Sequence, residues 1–188
     1  ILATPASVAC QLLQELLNKT RSQNAAPDAE MQRWTAAATA LQYEAIATVY
    51  LHAPEARLPR PLLALHSSPE HPAQYVFDRG QLGGPPGLLA LVVSASQDSR
   101  ETLQRQVLEQ ARQQLSALID TRPLRPVKTI IEKRATFACT PALPRPGLHI
   151  APGLLACGDY IAGPYPATLE GAVRSGLAAA RALGAGHC

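Results

Sequence analysis

A segment near the C-terminal end of the sequence combines glycine, aspartate and a helix start in an order that suits a cofactor or phosphate site. Gly158 and Asp159 follow the apolar run Leu154–Cys157, and a turn rich in glycine and proline leads from them to Thr168. Pro166 and Thr168 stand where a helix cap and first turn belong, so the first N–H groups of the next helix point toward whatever the turn holds. Because a helix N-terminus carries partial positive charge, the segment predicts a bound phosphate or cofactor edge.

The helix that follows this turn contains two glycines. Gly171 and Gly176 lie within it, and each costs about 1 kcal/mol relative to alanine. A backbone that approaches another surface closely would offset that cost. Ala172 and Ser175 keep the same side of the helix small. The alternative interpretation is a tightly packed amphipathic helix without a ligand, and the residues alone leave both interpretations open.

Other groupings of reactive side chains are weaker. His66 and His71, with Glu70 between them, fall in a proline-containing loop where no helix presents both rings on one face, so we expect no metal site. The serines at 94, 96 and 99 lack the glycines of a nucleophile elbow, which argues against hydrolase chemistry. The glycine cluster Gly80–Gly87 contains two prolines and predicts a hairpin or loop.

Composition limits the class of protein. The 188 residues are 47% hydrophobic and 16% charged, which indicates a globular chain. The net charge of +3 comes from scattered Lys and Arg, so we expect no nucleic-acid partner. Four widely spaced cysteines favour free thiols in a reducing compartment, and we expect a cytoplasmic protein. No apolar run approaches the ~20 residues of a membrane span.

The elements that must position the C-terminal segment can be predicted from periodicity. Short β-branched and apolar runs between turn signals predict strands at Ala45–Ala53, Leu62–His66, Ala73–Asp78, Leu88–Ala95 and Val127–Phe137. Together they predict a mostly antiparallel sheet with Leu88–Val93 at its centre. Thr140–Gly147 is rich in proline and predicts a crossover loop.

Three helices are predicted before the C-terminal one. The first starts near Thr4-Pro5 and the second covers Asp28–Ala40, with a polar loop over Asn18–Pro27 between them. The third begins with a capping box of Asp98 and Glu101. Its apolar positions are Leu103, Val107, Leu108, Ala111, Leu115, Leu118 and Ile119. The predicted solvent face carries Gln104, Arg105, Gln110, Arg112 and Gln113.

Several stretches resemble a known enzyme family. Gly158-Asp159 and the run Gly163–Gly176 resemble the C-terminal flavin segment of the FAD-dependent amine oxidase/phytoene desaturase superfamily. Within that superfamily the sequence is most similar to the hydroxysqualene dehydroxylases. Upstream stretches that agree are Ala45–Leu51, Gln74–Gly80 and Glu132–Ala138.

The resemblance implies an α+β fold. It consists of a mostly antiparallel substrate-domain sheet covered by helices, plus a strand–helix piece of a Rossmann-like FAD-binding domain. Residues 1–5 would be a strand of the FAD-binding domain, 6–147 the substrate domain, and 148–188 the C-terminal FAD-binding segment. No G-x-G-x-x-G motif is present and the first residue is Ile1, so we expect a partner N-terminal half that completes the FAD site.

The resemblance also implies roles for individual residues toward FAD. Asp159, beside Gly158, would accept hydrogen bonds near the ribityl chain. Thr168, Leu169 and Glu170 would bring the helix start under the pyrimidine edge of the flavin, where the alternative for Glu170 is a first-turn acid that favours the helix dipole. Gly171 and Ala172 would let the helix backbone approach the flavin closely.

The implied reaction is reductive replacement of the hydroxyl group of hydroxysqualene by hydrogen, which gives squalene. A long apolar isoprenoid substrate predicts an apolar tunnel, formed by the sheet face that carries Ile46, Thr48 and Tyr50 or by the opposite face. It also predicts peripheral contact with a membrane. The alternatives are a carotenoid-type desaturase, a flavin amine oxidase, or a non-catalytic interaction fragment. Without the glycine-rich half, we expect this chain alone to be inactive.

Overall fold

The computed structural model describes residues 1–22 and 28–184. The fold is α+β, as predicted. The chain divides into two compact units, one formed by Ile1–Gln42 together with the segment from Phe137 onward, and the other by Tyr43–Thr136. The domain boundaries predicted after residues 5 and 147 refer to the domains of a complete flavoprotein, and they remain a prediction. Among the described residues, no helix has both the length and the apolar character needed to cross a bilayer.

A five-stranded sheet forms most of the second unit. Its strands are β1 (Tyr43–His52), β2 (Leu62–Ala64), β3 (Tyr75–Asp78), β4 (Leu88–Ser94) and β5 (Arg125–Phe137). The spatial order is β2-β3-β4-β1-β5, and the pairs β2–β3, β3–β4 and β4–β1 are antiparallel. The predicted antiparallel sheet with the Leu88–Val93 run at its centre is therefore confirmed.

The two faces of this sheet have different surroundings. Helix α3 (Arg100–Gln114) belongs to the same buried cluster as one face. Residues of β1 and β4 on that face are almost fully inaccessible: Ala47, Val49, Leu51, Leu89, Leu91 and Val93. Because side chains alternate along a strand, the even-numbered positions of β1 and β4 point to the opposite face. Those positions are half-buried, except for Ala90, which is buried, and Ser94, which is exposed.

The details of α3 differ from the sequence prediction. Ser99, rather than Asp98, is the N-cap, because its extended backbone lets its hydroxyl accept from the Thr102 N–H at 3.2 Å. The helix ends at Gln114, so Leu118 and Ile119 lie beyond it. Gln110, expected on the solvent face, is fully buried.

Gln110 supplies hydrogen-bond partners to the backbone of the loop between β2 and β3. Its side-chain oxygen accepts from the Ala73 N–H at 2.8 Å, and its amide nitrogen donates to the carbonyls of Ala73 and His66 at 2.8 and 3.2 Å. A buried amide is stable when its donors and acceptors are satisfied in this way. The side chain thereby ties α3 to the segment between β2 and β3.

Asp78 organises the turn at the end of β3. Its buried carboxylate accepts from the Leu58 N–H at 3.0 Å, from the Gln81 N–H at 3.3 Å and from the Gln81 side-chain amide at 2.7 Å. Burial acts to raise the pKa of Asp78, but these hydrogen bonds and one from Gly80 outweigh it and lower the pKa below 3.8. The ionised carboxylate is therefore the form that the fold stabilises.

We expect Asp78→Ala to lower the free energy of unfolding at pH 7 by about 2 kcal/mol, because the Leu58 N–H loses its buried acceptor. A carboxylate with a lowered pKa stabilises the fold above its unfolded-state pKa near 4, and this contribution is lost as the pH falls through the folded-state pKa. Urea unfolding of wild type and Asp78→Ala from pH 7 to pH 3 should therefore show that the difference between their free energies of unfolding shrinks as the pH falls.

Asp98→Ala is the matched control, since Asp98 is exposed and does not cap α3. It should change the free energy of unfolding by less than about 0.5 kcal/mol at every pH. A wild-type advantage over Asp78→Ala that grows on acidification would contradict the account of Asp78.

The first unit contains the remaining elements. These are α1 (Ala6–Ser22), α2 (Ala29–Thr39), β6 (His149–Ala151), β7 (Leu154–Leu155) and α4 (Leu169–Gly184). Leu2 forms a parallel bridge with Ala156, so the predicted opening strand lies beside the strand that leads to the C-terminal turn. Trp34 of α2 donates from Nε1 to the Gly147 carbonyl at 2.7 Å, which holds the proline-rich crossover.

Helix α1 is longer than predicted. Residues 18–22 continue the helix, although the polar run Asn18–Pro27 was expected to be a loop, while residues 23–27 of that run lie outside the described part of the chain. Lys and Asn late in a helix cost little once earlier turns are packed. Asp28 caps α2 by accepting from the N–H groups of Glu30 and Met31 at 2.8 and 3.3 Å.

Candidate functional site

A turn of residues 158–168 joins β7 to α4, and Ser175 fixes its first residue to the helix. The Gly158 N–H donates to Ser175 Oγ at 2.9 Å, and the hydroxyl lies within donating distance of the carbonyls of Gly158 and Ala172, at 2.9 and 2.8 Å. A side chain at residue 158 would collide with the Tyr160 ring, 2.5 Å from the added Cβ. The sequence prediction used Ser175 only as a small residue and missed its hydroxyl.

Thr168 caps the start of α4. Its hydroxyl donates to the Tyr165 carbonyl at 2.7 Å and accepts from the Gly171 N–H at 3.1 Å, and its own carbonyl accepts from the Ala172 N–H at 3.1 Å. The N–H groups of Leu169 and Glu170 have no acceptor among residues 1–22 and 28–184. The helix thus presents two free donors at its positive end.

The two helix glycines serve different purposes. A Cβ added at Gly171 would lie 2.2 Å from the Tyr165 carbonyl oxygen, so glycine is required for the turn to close onto the helix. At Gly176, no described atom lies within 4 Å of an added Cβ. The close approach inferred from sequence is therefore present within the described chain at Gly171 and not at Gly176.

The turn also contains unusual backbone. Tyr165 and Ala167 have φ angles of 59° and 56°, in the left-handed region that side chains disfavour. Such residues persist where surrounding contacts fix them, and they are common at functional sites. Two hydrogen bonds fix these residues. The Thr168 hydroxyl donates to the Tyr165 carbonyl, and the Ala167 N–H donates to the Asp159 carbonyl at 3.3 Å.

The carboxylates of the segment differ in their partners. Asp159 is half-buried, and its carboxylate accepts no hydrogen bond from the described residues. Glu170 forms an ion pair with Arg174 one turn along α4, with Oε1 and Nε 2.5 Å apart. The Arg174 guanidinium also lies 4.8 Å from the centre of the Tyr165 ring. Asp159 is therefore the carboxylate left available to a ligand hydroxyl.

The structure brings all the predicted site residues into one continuous turn and helix start. They are Gly158, Asp159, Thr168, Leu169, Glu170, Gly171 and Ala172. Two of them, Glu170 and Gly171, line a groove of about 550 Å³, together with Ile161–Pro164 and α4 residues as far as Arg181. The combination of helix N–H donors, an available carboxylate and a groove suits a ligand with an anionic edge and hydroxyl groups. Whether a ligand occupies it stays a prediction.

The sequence prediction overlooked one further residue beside this turn. Arg145, in the proline-rich crossover, donates to the carbonyls of Ile161 and Gly163. A lone Arg-Pro pair in a loop carries no periodicity, so nothing in the sequence signalled this contact. The structure also describes Cys10, Cys139 and Cys157 as free thiols, and Cys188 lies outside the described residues. Within the described chain, no cluster of three or more His, Cys, Asp or Glu could hold a metal ion.

We expect Gly171→Ala to lower the free energy of unfolding by about 1 to 3 kcal/mol, because the new methyl group collides with a fixed carbonyl. Gly176→Ala is a matched change in the same helix where the space is open. It should raise the free energy of unfolding by about 0.5 to 1 kcal/mol through helix propensity. Urea titrations of both variants measure these values, and equal effects from the two would contradict the assigned contact.

Comparison with known proteins identifies a family that this chain matches. The family described as flavin containing amine oxidoreductase matches residues 1–184. An oxidoreductase from Methanosarcina mazei shares the fold with a TM-score of 0.54 at 15% identity, over 85% of this chain and 39% of that one. Reduced UDP-galactopyranose mutase gives a TM-score of 0.40 at 17% identity, over 54% of this chain and 23% of that one. No curated protein sequence matches the chain.

The chain thus spans less than half the length of the oxidoreductase whose fold it shares. The family match covers nearly the whole chain and confirms two predictions, the flavin-dependent superfamily and FAD as its cofactor. The match does not distinguish the branches within that superfamily. This chain belongs to the flavin containing amine oxidoreductases, a family of FAD-dependent oxidoreductases.

Proposed function

We propose that this chain is the C-terminal portion of an FAD-dependent oxidoreductase that acts on a long isoprenoid, and that its reaction is the reductive dehydroxylation of hydroxysqualene to squalene. The family match supports the cofactor and the reaction class. The half-buried apolar face of the sheet supports the substrate class. The partner of the chain is an N-terminal half that contributes the glycine-rich part of the FAD site.

The turn before α4 and the first residues of α4 would hold the flavin end of FAD. The free N–H groups of Leu169 and Glu170 suit the pyrimidine edge, which becomes negative on reduction, and the helix dipole stabilises such charge by up to about 2 kcal/mol. The available carboxylate of Asp159 suits a ribityl hydroxyl, since it would repel the diphosphate. When bound there, FAD supplies hydride-transfer chemistry that side chains cannot provide.

One face of the sheet offers a surface for a hydrocarbon. We define the open face by two rows of residues that lie side by side on neighbouring strands. The strand registers give these rows as Thr48–Val92–Tyr75 and Tyr50–Ala90–Phe77. Ala90 places a small side chain between the aromatic rings of Tyr50 and Phe77, and Tyr75 is 47% exposed. Neither row contains a charged residue. This apolar, aromatic surface is the observation that supports a hydrocarbon substrate, because binding would remove both the surface and the hydrocarbon chain from water.

A flavin amine oxidase is the competing enzyme, and one residue favours it. Glu44 lies on β1 an even number of residues from Thr48, so it shares the open side of that strand. A carboxylate at one end of an aromatic face could pair with a substrate ammonium group. A carotenoid-type desaturase would use the same apolar face with hydride transfer in the oxidising direction.

The products separate these enzymes. Incubation of the reconstituted protein with hydroxysqualene and a reductant should give squalene, detected by mass spectrometry. A polyene with additional double bonds, formed from a less unsaturated isoprenoid, would identify a desaturase. An aldehyde and hydrogen peroxide formed from an amine would identify an amine oxidase. Any of these other products, in place of squalene, contradicts the proposed reaction.

We expect the isolated 188-residue chain to copurify without flavin absorbance, because it has no G-x-G-x-x-G turn for the diphosphate. Coexpression with an N-terminal half of a member of the family should give a yellow complex with bound FAD. Flavin bound to the chain alone would contradict the first expectation. A stable complex of the two halves that binds no FAD would favour a non-catalytic interaction fragment.

We expect Thr48→Glu to raise the KM for a hydrocarbon substrate at least tenfold in the reconstituted protein, because an unpaired charge on the open face must be desolvated. Its FAD content should match that of wild type. Gln104→Glu, on the half-exposed surface of α3 in the same unit, makes the same change in charge and should leave KM within about twofold. Equal KM values for both variants would remove the open face from the substrate site.

A further inference from the structure

We propose that Arg145 is a positioning residue for the flavin-binding turn and holds the middle of that turn without touching the cofactor. The part of this inference that concerns FAD rests on the proposed function. The part that concerns the turn can be tested on the chain by itself. Arg145 lies in the proline-rich crossover Thr140–Gly147, to which the sequence prediction gave no role beyond connection.

The contacts between the crossover and the turn form a continuous set. Arg145 donates from one terminal nitrogen to the Ile161 carbonyl at 2.9 Å and from the other to the Gly163 carbonyl. Between these two acceptors, the Ala162 N–H donates to the Pro146 carbonyl at 2.8 Å. Three consecutive residues of the turn are therefore bonded to two consecutive residues of the crossover.

This contact is needed because the other hydrogen bonds of the turn lie toward its two ends, including the bond from the Ala167 N–H to the Asp159 carbonyl. Ser175 fixes Gly158, and Thr168 fixes Tyr165. Neither of these contacts restrains the intervening exposed segment Ala162–Pro164. The middle of the turn thus depends on Arg145 and its neighbour for a fixed path, and the groove beside α4 is lined by that same middle segment.

The chemistry requires arginine in particular. Hydrogen bonds from a charged donor are about twice as strong as neutral ones. A guanidinium is a planar fork that can serve two acceptors at fixed spacing, whereas a lysine ammonium acts as a point charge on a flexible stem. A lysine at residue 145 would keep the charge but could not hold both carbonyls in the same geometry.

The consequence concerns the geometry of cofactor binding. Groups that contact a cofactor must be held within about 0.5 Å by supporting residues that do not touch it. The Ala167 N–H bond to the Asp159 carbonyl already joins the two ends of the turn, so a loose middle would instead change the shape of the groove that Ile161–Pro164 line beside α4. Arg145 therefore affects how well FAD is held and how its flavin is oriented.

The first arm of the test uses the 188-residue chain and hydrogen exchange. Arg145→Ala should expose the Ala162 amide, raising its exchange rate at least tenfold, and Arg145→Lys should fail to restore protection. Asp28→Ala is the control, since it removes the α2 cap in the same unit and therefore destabilises that unit without touching the turn. Unchanged exchange at Ala162 in Arg145→Ala would overturn the proposal for the turn.

The second arm uses the complex reconstituted with an N-terminal half. Arg145→Ala should raise the Kd for FAD about tenfold and alter the visible absorption bands of the flavin, while Arg145→Lys remains closer to the alanine variant than to wild type. Asp28→Ala should keep the wild-type Kd and spectrum. A Kd within twofold of wild type for Arg145→Ala, or an equal rise in Asp28→Ala, would overturn the positioning role. Failure of the wild-type complex to bind FAD would instead overturn the proposed function, and the exchange experiment would still decide the turn.

Discussion

The candidate site depends on one close contact, in which the Tyr165 carbonyl oxygen occupies the space that a side chain at residue 171 would take. Glycine at that position lets the turn fold back over the first turn of α4, and the Thr168 hydroxyl then completes the arrangement by donating to the same oxygen. The turn enters the helix through two left-handed residues, Tyr165 and Ala167. Each such residue costs of order 1 kcal/mol or more, so the contacts around the carbonyl must offset that cost.

A consequence of this arrangement is that the donors at the helix start stay free. Thr168 satisfies the Gly171 N–H, and no described group satisfies those of Leu169 and Glu170. Glu170 could have turned its carboxylate back toward these donors, but Arg174 pairs with it along the outer side of α4. Since both partners are about half-exposed, the pair contributes little stability. Its effect is to give that carboxylate a partner away from the helix start.

The sheet unit supplies a surface of a different chemical character. Its core is closed by α3 and by the buried amide of Gln110, and its Asp78 turn is fixed by hydrogen bonds. These features leave the open face of Thr48, Tyr50 and their cross-strand neighbours without a covering helix from the same unit. The first unit carries polar donors suited to a cofactor, and the second carries apolar side chains suited to a hydrocarbon. The proposed oxidoreductase requires both kinds of surface.

The sequence predicted the strands, their antiparallel pairing around Leu88–Val93 and a helix start near Pro166 and Thr168, because each depends on local periodicity or capping chemistry. It failed where a long-range partner decides the outcome. Gln110 resembles a solvent-face residue until Ala73 and His66 are placed beside it. Ser99 and Asp98 are both good caps, and backbone geometry selects Ser99. The contacts of Arg145 join residues 16 and 18 positions apart, which no local pattern reveals.

The central claim is that the start of α4 lies against the flavin, and amide NMR of the reconstituted protein tests it most directly. With Leu169, Glu170 and Gly171 assigned, the spectrum is recorded before and after reduction of the bound FAD. Because reduction places negative charge on the pyrimidine edge, the account predicts that these amides shift more than those elsewhere in α4, such as Ala179. Shifts no larger at residues 169–171 than at the far end of the helix would contradict it.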